Sequence, residues 1–245
     1  MFSLLRSPRW QAFTAAALIA IIAFGLLSYW QYNRAEEERQ EFATISAQMT
    51  ADPTVLPQQA SGPEVDWRHV ELTGEYDPDA QLLIRNRPQD GRNGYWVTTL
   101  LRTDLGVVWV VRGWYPAQVA AGSETSAPAP PTGTVVVDGY ARAPDGEPAR
   151  RADDIPAGQA TAVNPTGLSE IVAAPAPAAW YVIATNDPEL AAVPPPEATD
   201  SRNLSYAGQW LLFAAVVIGG WFFFLRREAA ETAAAEPERT PTTTG

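Results

Sequence analysis

Two apolar blocks, Ala12 to Trp30 and Tyr206 to Leu225, constrain this chain more than any other feature. At 1.5 Å rise per residue, each is long enough to cross about 30 Å of hydrocarbon as a helix. The composition agrees: 46% of residues are hydrophobic and only 18% charged, against roughly 25% charged in soluble domains. The first block is interrupted only by Thr14, Gly25 and Ser28. It ends in Ser28, Tyr29, Trp30, Gln31 and Tyr32. Those bulky side chains do not form a small-residue cleavage site, so the block reads as an uncleaved anchor and not a signal peptide. Gly219 and Gly220 leave the second block intact, because a bilayer forces the backbone to hydrogen-bond within itself.

Arg6 and Arg9 precede the first block, and Arg226 and Arg227 follow the second. The positive-inside bias then places both termini in the cytoplasm. The expected layout is a cytoplasmic N-terminus (1–11), a transmembrane helix (12–30), an extracytoplasmic β-rich domain with a membrane-proximal helix (31–205), a second transmembrane helix (206–225) and a cytoplasmic tail (226–245). The expected fold class is therefore an α+β membrane protein, with N- and C-terminal transmembrane helices flanking a β-rich extracytoplasmic domain. Tyr29, Trp30, Tyr32, Tyr206 and Trp210 suit the interface, where an aromatic ring keeps its body in lipid and its polar edge in water. Gln31 and Gln209 need a partner or water near the hydrocarbon edge, and either could face the other helix or a third one. Ala215 and Gly219 form a small-xxx-small pair that would permit close helix approach.

Within the outer region, Phe42, Ile45 and Met49 fall on one helical face. This predicts a helix over 34–49 whose wet side carries Glu36, Glu37, Glu38 and Glu41 and which ends at Asp52, Pro53 and Pro57. From Arg68 the period changes to two, giving a strand through Tyr76. Further strands are expected at 81–87, 95–101, 105–112, 134–141 and 179–185. The stretch from Pro88 to Gly94 reads as a turn ending in an Asn93–Gly94 bend. Six strands suggest a curled sheet or open barrel with one flanking helix. The alanine- and proline-rich stretches 116–133 and 143–179 read as surface loops, and Pro194 to Pro196 as a stiff spacer.

Several chemistries are excluded outright. There is no cysteine, and all 17 basic residues are arginine, so thiolate metal sites, cysteine nucleophiles and lysine Schiff bases are absent. A net charge of -11 disfavours nucleic acid as a partner. The single histidine, His69, sits in the first strand without a second histidine or an acidic cluster. A hydrogen-bonded strand histidine is a better reading than a metal ligand, and no metal site is expected. Gly167, Leu168 and Ser169 begin like a nucleophile elbow, but Ile171 stands where its second glycine belongs. The pairs Asp77 with Asp79 and Asp153 with Asp154 read as solvated turn acids. The sharpest local signals are Arg85, Asn86 and Arg87, and Arg112, Gly113, Trp114, Tyr115 and Pro116. Equal parity on a strand would point Arg85 and Arg87 from one face toward a carboxylate or propionate. Ion pairing with the many acids is an equal alternative.

Taken in order, the motifs make a pattern: Trp30, Gln31 and Arg34; Arg68, Val70, Gly74 and Tyr76; Arg85, Asn86 and Arg87 with Gly91 and Gly94; Val97, Thr98 and Leu100; Arg112, Gly113, Trp114 and Pro116; Tyr206, Ala207 and Trp210. This pattern resembles the Surf/Shy family, the surfeit-locus proteins that assist assembly of cytochrome c oxidase. The resemblance implies a non-enzymatic assembly factor in a bacterial plasma membrane, assisting haem a insertion into subunit I or its maturation. Its implied partners are cytochrome c oxidase subunit I, the haem a delivery machinery and the lipid bilayer. No tightly bound cofactor is implied. Transient haem a would meet Arg85, Arg87 and Arg112 through its propionates, or a partner protein would use those arginines instead. Trp30, Gln31, Arg34, Trp114, Tyr206, Gln209 and Trp210 are the implied partner or membrane-interface residues. Two positions depart from the family. Thr99 replaces a proline, and Asn203 stands where many members carry a histidine, so that axial haem ligand is missing. A scaffold that stabilises a respiratory complex without touching haem is the rival reading, and an extracytoplasmic hydrolase using His69 or a carboxylate pair is the third.

Overall fold

In the computed structural model, residues 6–117, 127–146, 155–197 and 200–235 are described. They form helix α1 (Pro8–Thr50), strands β1 (Arg68–Ile84), β2 (Gly94–Thr103), β3 (Gly106–Pro116), β4 (Thr134–Arg142) and β5 (Gln159–Ala160), helix α2 (Pro165–Val172), strand β6 (Tyr181–Ala184) and helix α3 (Asp200–Ala235). Contacts divide the chain into two units, Met1–Phe42 with Glu197–Gly245, and Ala43–Pro196.

In the first unit, α1 and α3 are each long and apolar enough to cross a membrane. Their most apolar stretches have mean hydropathies of 2.1 and 1.8, and protein covers only 6% of each. The helices run antiparallel. Ser28 Oγ donates to the Ala207 carbonyl at 3.0 Å, and Trp221 Nε1 donates to Thr14 Oγ1 at 3.0 Å. Phe24 stacks on Trp210 with ring centroids 5.7 Å apart. The expected small-residue seam is not used: Ala215 and Gly219 are exposed, and a Cβ built on Gly219 meets nothing within 4 Å. Hydrogen bonds and ring contacts hold the pair instead, as suits a setting where lipid tails are as apolar as leucine. The helix expected over 34–49 is the continuation of α1, which ends at Thr50 just ahead of Asp52 and Pro53.

In the second unit, hydrogen bonds followed from β2 through β3, β6, β4 and β1 lead back to β2, so the sheet closes into a barrel. Strand β1 makes this possible. Its first half pairs antiparallel with β4, from Arg68 with Ala141 to Glu75 with Thr134. Its second half pairs with β2, and Gly74 and Glu75 pair on both sides. The two strands expected at 68–76 and 81–87 are thus one bent strand, with an irregular register between Asp77 and Gln81. At the crossing, a Cβ on Gly74 would overlap the Arg102 carbonyl, so only glycine lets the two backbones approach there. One buried cluster draws Val70 and Leu72 of β1, Leu101, Val108, Val110, Val137 and Val182 from all five strands. After the irregularity, Leu82 and Ile84 join a second cluster with Trp109, Tyr181, Val163 and Leu168. Thus β3 is covered on both faces, as its near-continuous apolar run implies.

The stretch 143–179 is not simply a surface loop, although 147–154 lie outside the described residues, as do 118–126 of the other expected loop. Strand β5 pairs parallel with the end of β1. Helix α2 starts at an Asn164 cap whose side chain accepts from Gly167 N at 3.2 Å, with Pro165 in its first turn. Leu168 of α2 is fully buried. The eight residues of α2, too short a stretch for periodicity to show, give the second cluster buried Leu168 and partly buried Ile171 and Val172.

Candidate functional site

Strand β1 stops at Ile84, and the arginine motif lies beyond it. Asn86 has φ 58, in the left-handed region, so strand parity does not extend to Arg85 and Arg87. The turn that follows closes through Gln89 and Arg92, whose backbones exchange hydrogen bonds of 2.9 and 3.0 Å. Its two central residues, Asp90 and Gly91, have φ 51 and 72, the signature of a primed hairpin turn. The bend thus falls at Asp90–Gly91 and not at Asn93–Gly94. Gly94 instead begins β2 against the Trp114 indole, which a Cβ there would overlap.

Trp114 locks this turn to β3. Its Nε1 donates to the Arg87 carbonyl at 2.6 Å, and its own backbone exchanges hydrogen bonds with Ala191 at 2.7 and 3.2 Å. The Arg87 guanidinium stacks 4.1 Å over the Trp96 ring and donates from Nη2 to Asp145 at 2.6 Å. Asp145 also accepts from the Tyr181 hydroxyl at 3.0 Å. Burial, followed by the neighbouring Asp145 charge, raises the Tyr181 pKa, so the phenol remains a donor. The Arg85 side chain is half-buried and makes no hydrogen bond or ion pair among the described residues.

Arg112 is buried completely. Its Nε donates to Asp187 at 2.8 Å, its Nη1 to Gln81 Oε1 and the Pro128 carbonyl at 3.0 Å each, and its Nη2 to the Ala129 carbonyl at 3.2 Å. Arg112 and Asp187 expose 0% and 5% of their side chains. One guanidinium therefore ties β3 to β1 and to two connecting segments. Tyr76 lies below it, 5.7 Å from ring centroid to Cζ.

A comparison with protein families matches residues 18–215 to the SURF1 family. The chain belongs to the SURF1 family. A SURF1-like protein of Mycobacterium tuberculosis (strain H37Rv) is 34% identical over 149 residues, 58% of this chain and 54% of that protein. A SURF1-like protein of Rickettsia bellii is 28% identical over 101 residues, 40% of this chain and 41% of the relative. The cytochrome oxidase assembly protein SHY1 of Saccharomyces cerevisiae is 31% identical over 107 residues, 41% of this chain and 27% of SHY1. The chain spans about half the length of the mycobacterial relatives it matches.

In this SURF1-family chain, the remaining expected contact residues lie on the helix pair. Trp30 and Tyr206 are 60% and 47% exposed, and Gln209 is exposed as well. The Gln31 Oε1 and Trp210 Nε1 atoms are shut from solvent without a hydrogen-bond partner. Arg34 pairs with Glu37 at 3.5 Å and Glu38 at 3.3 Å, and Asn203 donates to Glu38 at 2.9 Å. Asn203 therefore extends a polar chain that starts at Arg34, an arrangement that spacing in sequence could not reveal.

Of the groups considered for catalysis, His69, Ser169 and Asp77 have structural partners. His69 Nδ1 lies 2.8 Å from the Ala51 carbonyl, and Nε2 lies 2.7 Å from Asp138 Oδ1. Both partners are acceptors, so the imidazolium satisfies both. The Asp138 hydrogen bond, then the Ala51 carbonyl, raise the His69 pKa above 6.5. Burial pushes Asp138 upward, but hydrogen bonds from His69 and Thr185 outweigh it and leave that pKa lowered. Ser169 is 4% exposed and accepts from Trp109 Nε1 at 2.9 Å. Asp77 pairs with Arg102 at 2.6 Å, while Asp153 and Asp154 lie outside the described residues. Among the described residues, no group of three or more histidine, aspartate or glutamate side chains could hold a metal ion. The partners Asp145 and Asp187 were not singled out by sequence reasoning, because acids in loops carry no pattern of their own.

Proposed function

We propose that this chain is a membrane-anchored, non-catalytic assembly factor for cytochrome c oxidase, assisting haem a insertion into subunit I or its maturation. On this reading both termini are cytoplasmic, the barrel lies outside a bacterial plasma membrane, and the partners are subunit I, haem a and its delivery machinery. The family match carries the reading: it runs from within α1 across the barrel into α3, and so includes part of each apolar helix and the domain between them. The relationship to a yeast protein named for oxidase assembly supports it. The engagement of His69, Ser169 and Asp77 in structural hydrogen bonds leaves the barrel suited to contact and not to turnover. Arg85 is the guanidinium of the motif open to an incoming carboxylate, propionate or protein surface. Deletion of the gene should lower haem a content and oxidase activity, and the tagged protein should co-purify with subunit I. Normal haem a and activity in the deletion strain would refute the assignment.

A scaffold that stabilises the respiratory complex without binding haem is the second reading. It is favoured by Arg87 and Arg112 being committed to Asp145 and Asp187, and by Asn203 donating to Glu38. Titration of purified protein with haem a separates the two. A stoichiometric spectral shift lost on Arg85→Ala supports cofactor handling, and no shift supports the scaffold.

A further inference from the structure

A cavity of about 300 Å³ in the helix pair is lined by Arg9, Trp10 and Phe13 of α1 and by Phe224 and Glu228 of α3. Trp10 is only 4% exposed, yet its indole Nε1 has no hydrogen-bond partner. The side chains of Arg9 and Glu228 form no ion pair or hydrogen bond among the described residues, although both line this one cavity. A cation and an anion, neither of them paired, therefore line a single cavity.

The apolar side of the cavity is aromatic. Phe13 meets Trp10 edge to face with centroids 5.5 Å apart and Phe224 at 6.3 Å, also edge to face. Phe13 and Phe224 remain 42% and 51% exposed, so chains lying against them continue into the surroundings of the helix pair. If α1 and α3 cross a membrane, Arg9 and Glu228 flank the apolar blocks and sit at headgroup depth, while the phenylalanines sit below.

We infer that this cavity binds the headgroup of an aminophospholipid of the phosphatidylethanolamine class. Arg9 receives the phosphate, Glu228 receives the primary ammonium, and the acyl chains run over Phe13 and Phe224. A purely anionic headgroup satisfies Arg9 but is repelled by Glu228. A choline headgroup carries the positive charge without an N–H to donate to that carboxylate. The volume holds a headgroup and not a whole lipid, which leaves the acyl chains outside it.

The test uses the full-length chain reconstituted in vesicles of equal parts phosphatidylethanolamine, phosphatidylcholine and phosphatidylglycerol with matched acyl chains. After mild detergent extraction, retained lipids are counted by native mass spectrometry. The expected result is retention of phosphatidylethanolamine about tenfold over the other two, equivalent to about 1.4 kcal/mol. Arg9→Gln, which removes the charge, and Glu228→Gln should each reduce that preference at least about threefold, with helix content by circular dichroism unchanged. Equal retention of the three lipids by the wild-type chain, or preference for phosphatidylglycerol, overturns the inference without recourse to a variant. A preference that survives both substitutions also overturns it, because the lipid then binds elsewhere. The outcome does not depend on whether the chain serves an oxidase.

Discussion

Replacement of Arg112 by methionine removes a cation with a fully buried side chain and leaves Asp187, 5% exposed, without its counter-charge. It also withdraws the donors to the carbonyls of Pro128 and Ala129 and one of the two donors to Gln81 Oε1, which keeps Thr99 Oγ1 at 3.3 Å. Breaking one side of a buried pair costs about 3–5 kcal/mol, against a total domain stability of about 5–15 kcal/mol. For a unit of this size, 1 kcal/mol shifts the melting temperature by roughly 2–4 °C. The variant should thus melt roughly 6–20 °C lower. The assay is thermal unfolding of the full-length protein in detergent, followed by tryptophan fluorescence, since Trp109, Trp114 and Trp180 are all buried in the barrel. Asp187→Asn keeps an oxygen for the Glu189 and Leu190 amides, which Oδ1 now accepts at 3.0 and 3.2 Å. Combined with Arg112→Met, it should restore part of the loss, giving a coupling of about 1–3 kcal/mol. A methionine variant melting within about 2 °C of wild type would refute a structural role, and would return Arg112 to the set of ligand contacts.

The raised His69 pKa gives a contribution to stability that is complete below about 6.5 and fades as pH rises through the higher folded value. Asp138 is 41% exposed, so screening limits the effect to about 1 kcal/mol or less; the melting-temperature gap between wild type and His69→Gln should narrow with increasing pH, and a gap independent of pH would refute it. Gly94→Ala should displace the Trp114 indole from the Arg87 carbonyl and destabilise the barrel by about 1–3 kcal/mol, with an altered near-ultraviolet tryptophan signal. Unchanged melting and spectrum would show that the indole has room to move. Arg85→Ala should leave stability within about 0.5 kcal/mol of wild type while weakening co-purification with the oxidase, and intact co-purification would remove Arg85 from the contact surface.

The long elements were legible because their signals are redundant. Each apolar block is long enough to announce a helix without any partner, and alternation from Arg68 to Tyr76 or the apolar run of β3 marks a strand. Ring closure was not legible, since it depends on β1 exchanging neighbours where Gly74 lets two backbones approach, and nothing local distinguishes that glycine from one in a turn. The face shared by Arg85 and Arg87 failed for a related reason. Parity assumes extended backbone, and Asn86 leaves it. Helix α2 carried readable punctuation in Asn164 and Pro165, but alanine and proline on both sides diluted the hydrophobic content that would have supported it. The partners of Arg87 and Arg112 come from 58 and 75 residues away, a separation over which one sequence holds no pairing information.

The closed circuit of strands also limits how this domain can be recognised. An open sheet presents unpaired backbone donors and acceptors onto which a neighbouring chain can zip. Proteins confined to a membrane meet one another at high local concentration, where such indiscriminate templating would be a constant hazard. Because β1 hands its hydrogen bonds from β4 to β2, most of that backbone is already spoken for. On the proposed function, recognition then falls to side chains displayed beyond the strands, such as Arg85, and these discriminate by shape and charge.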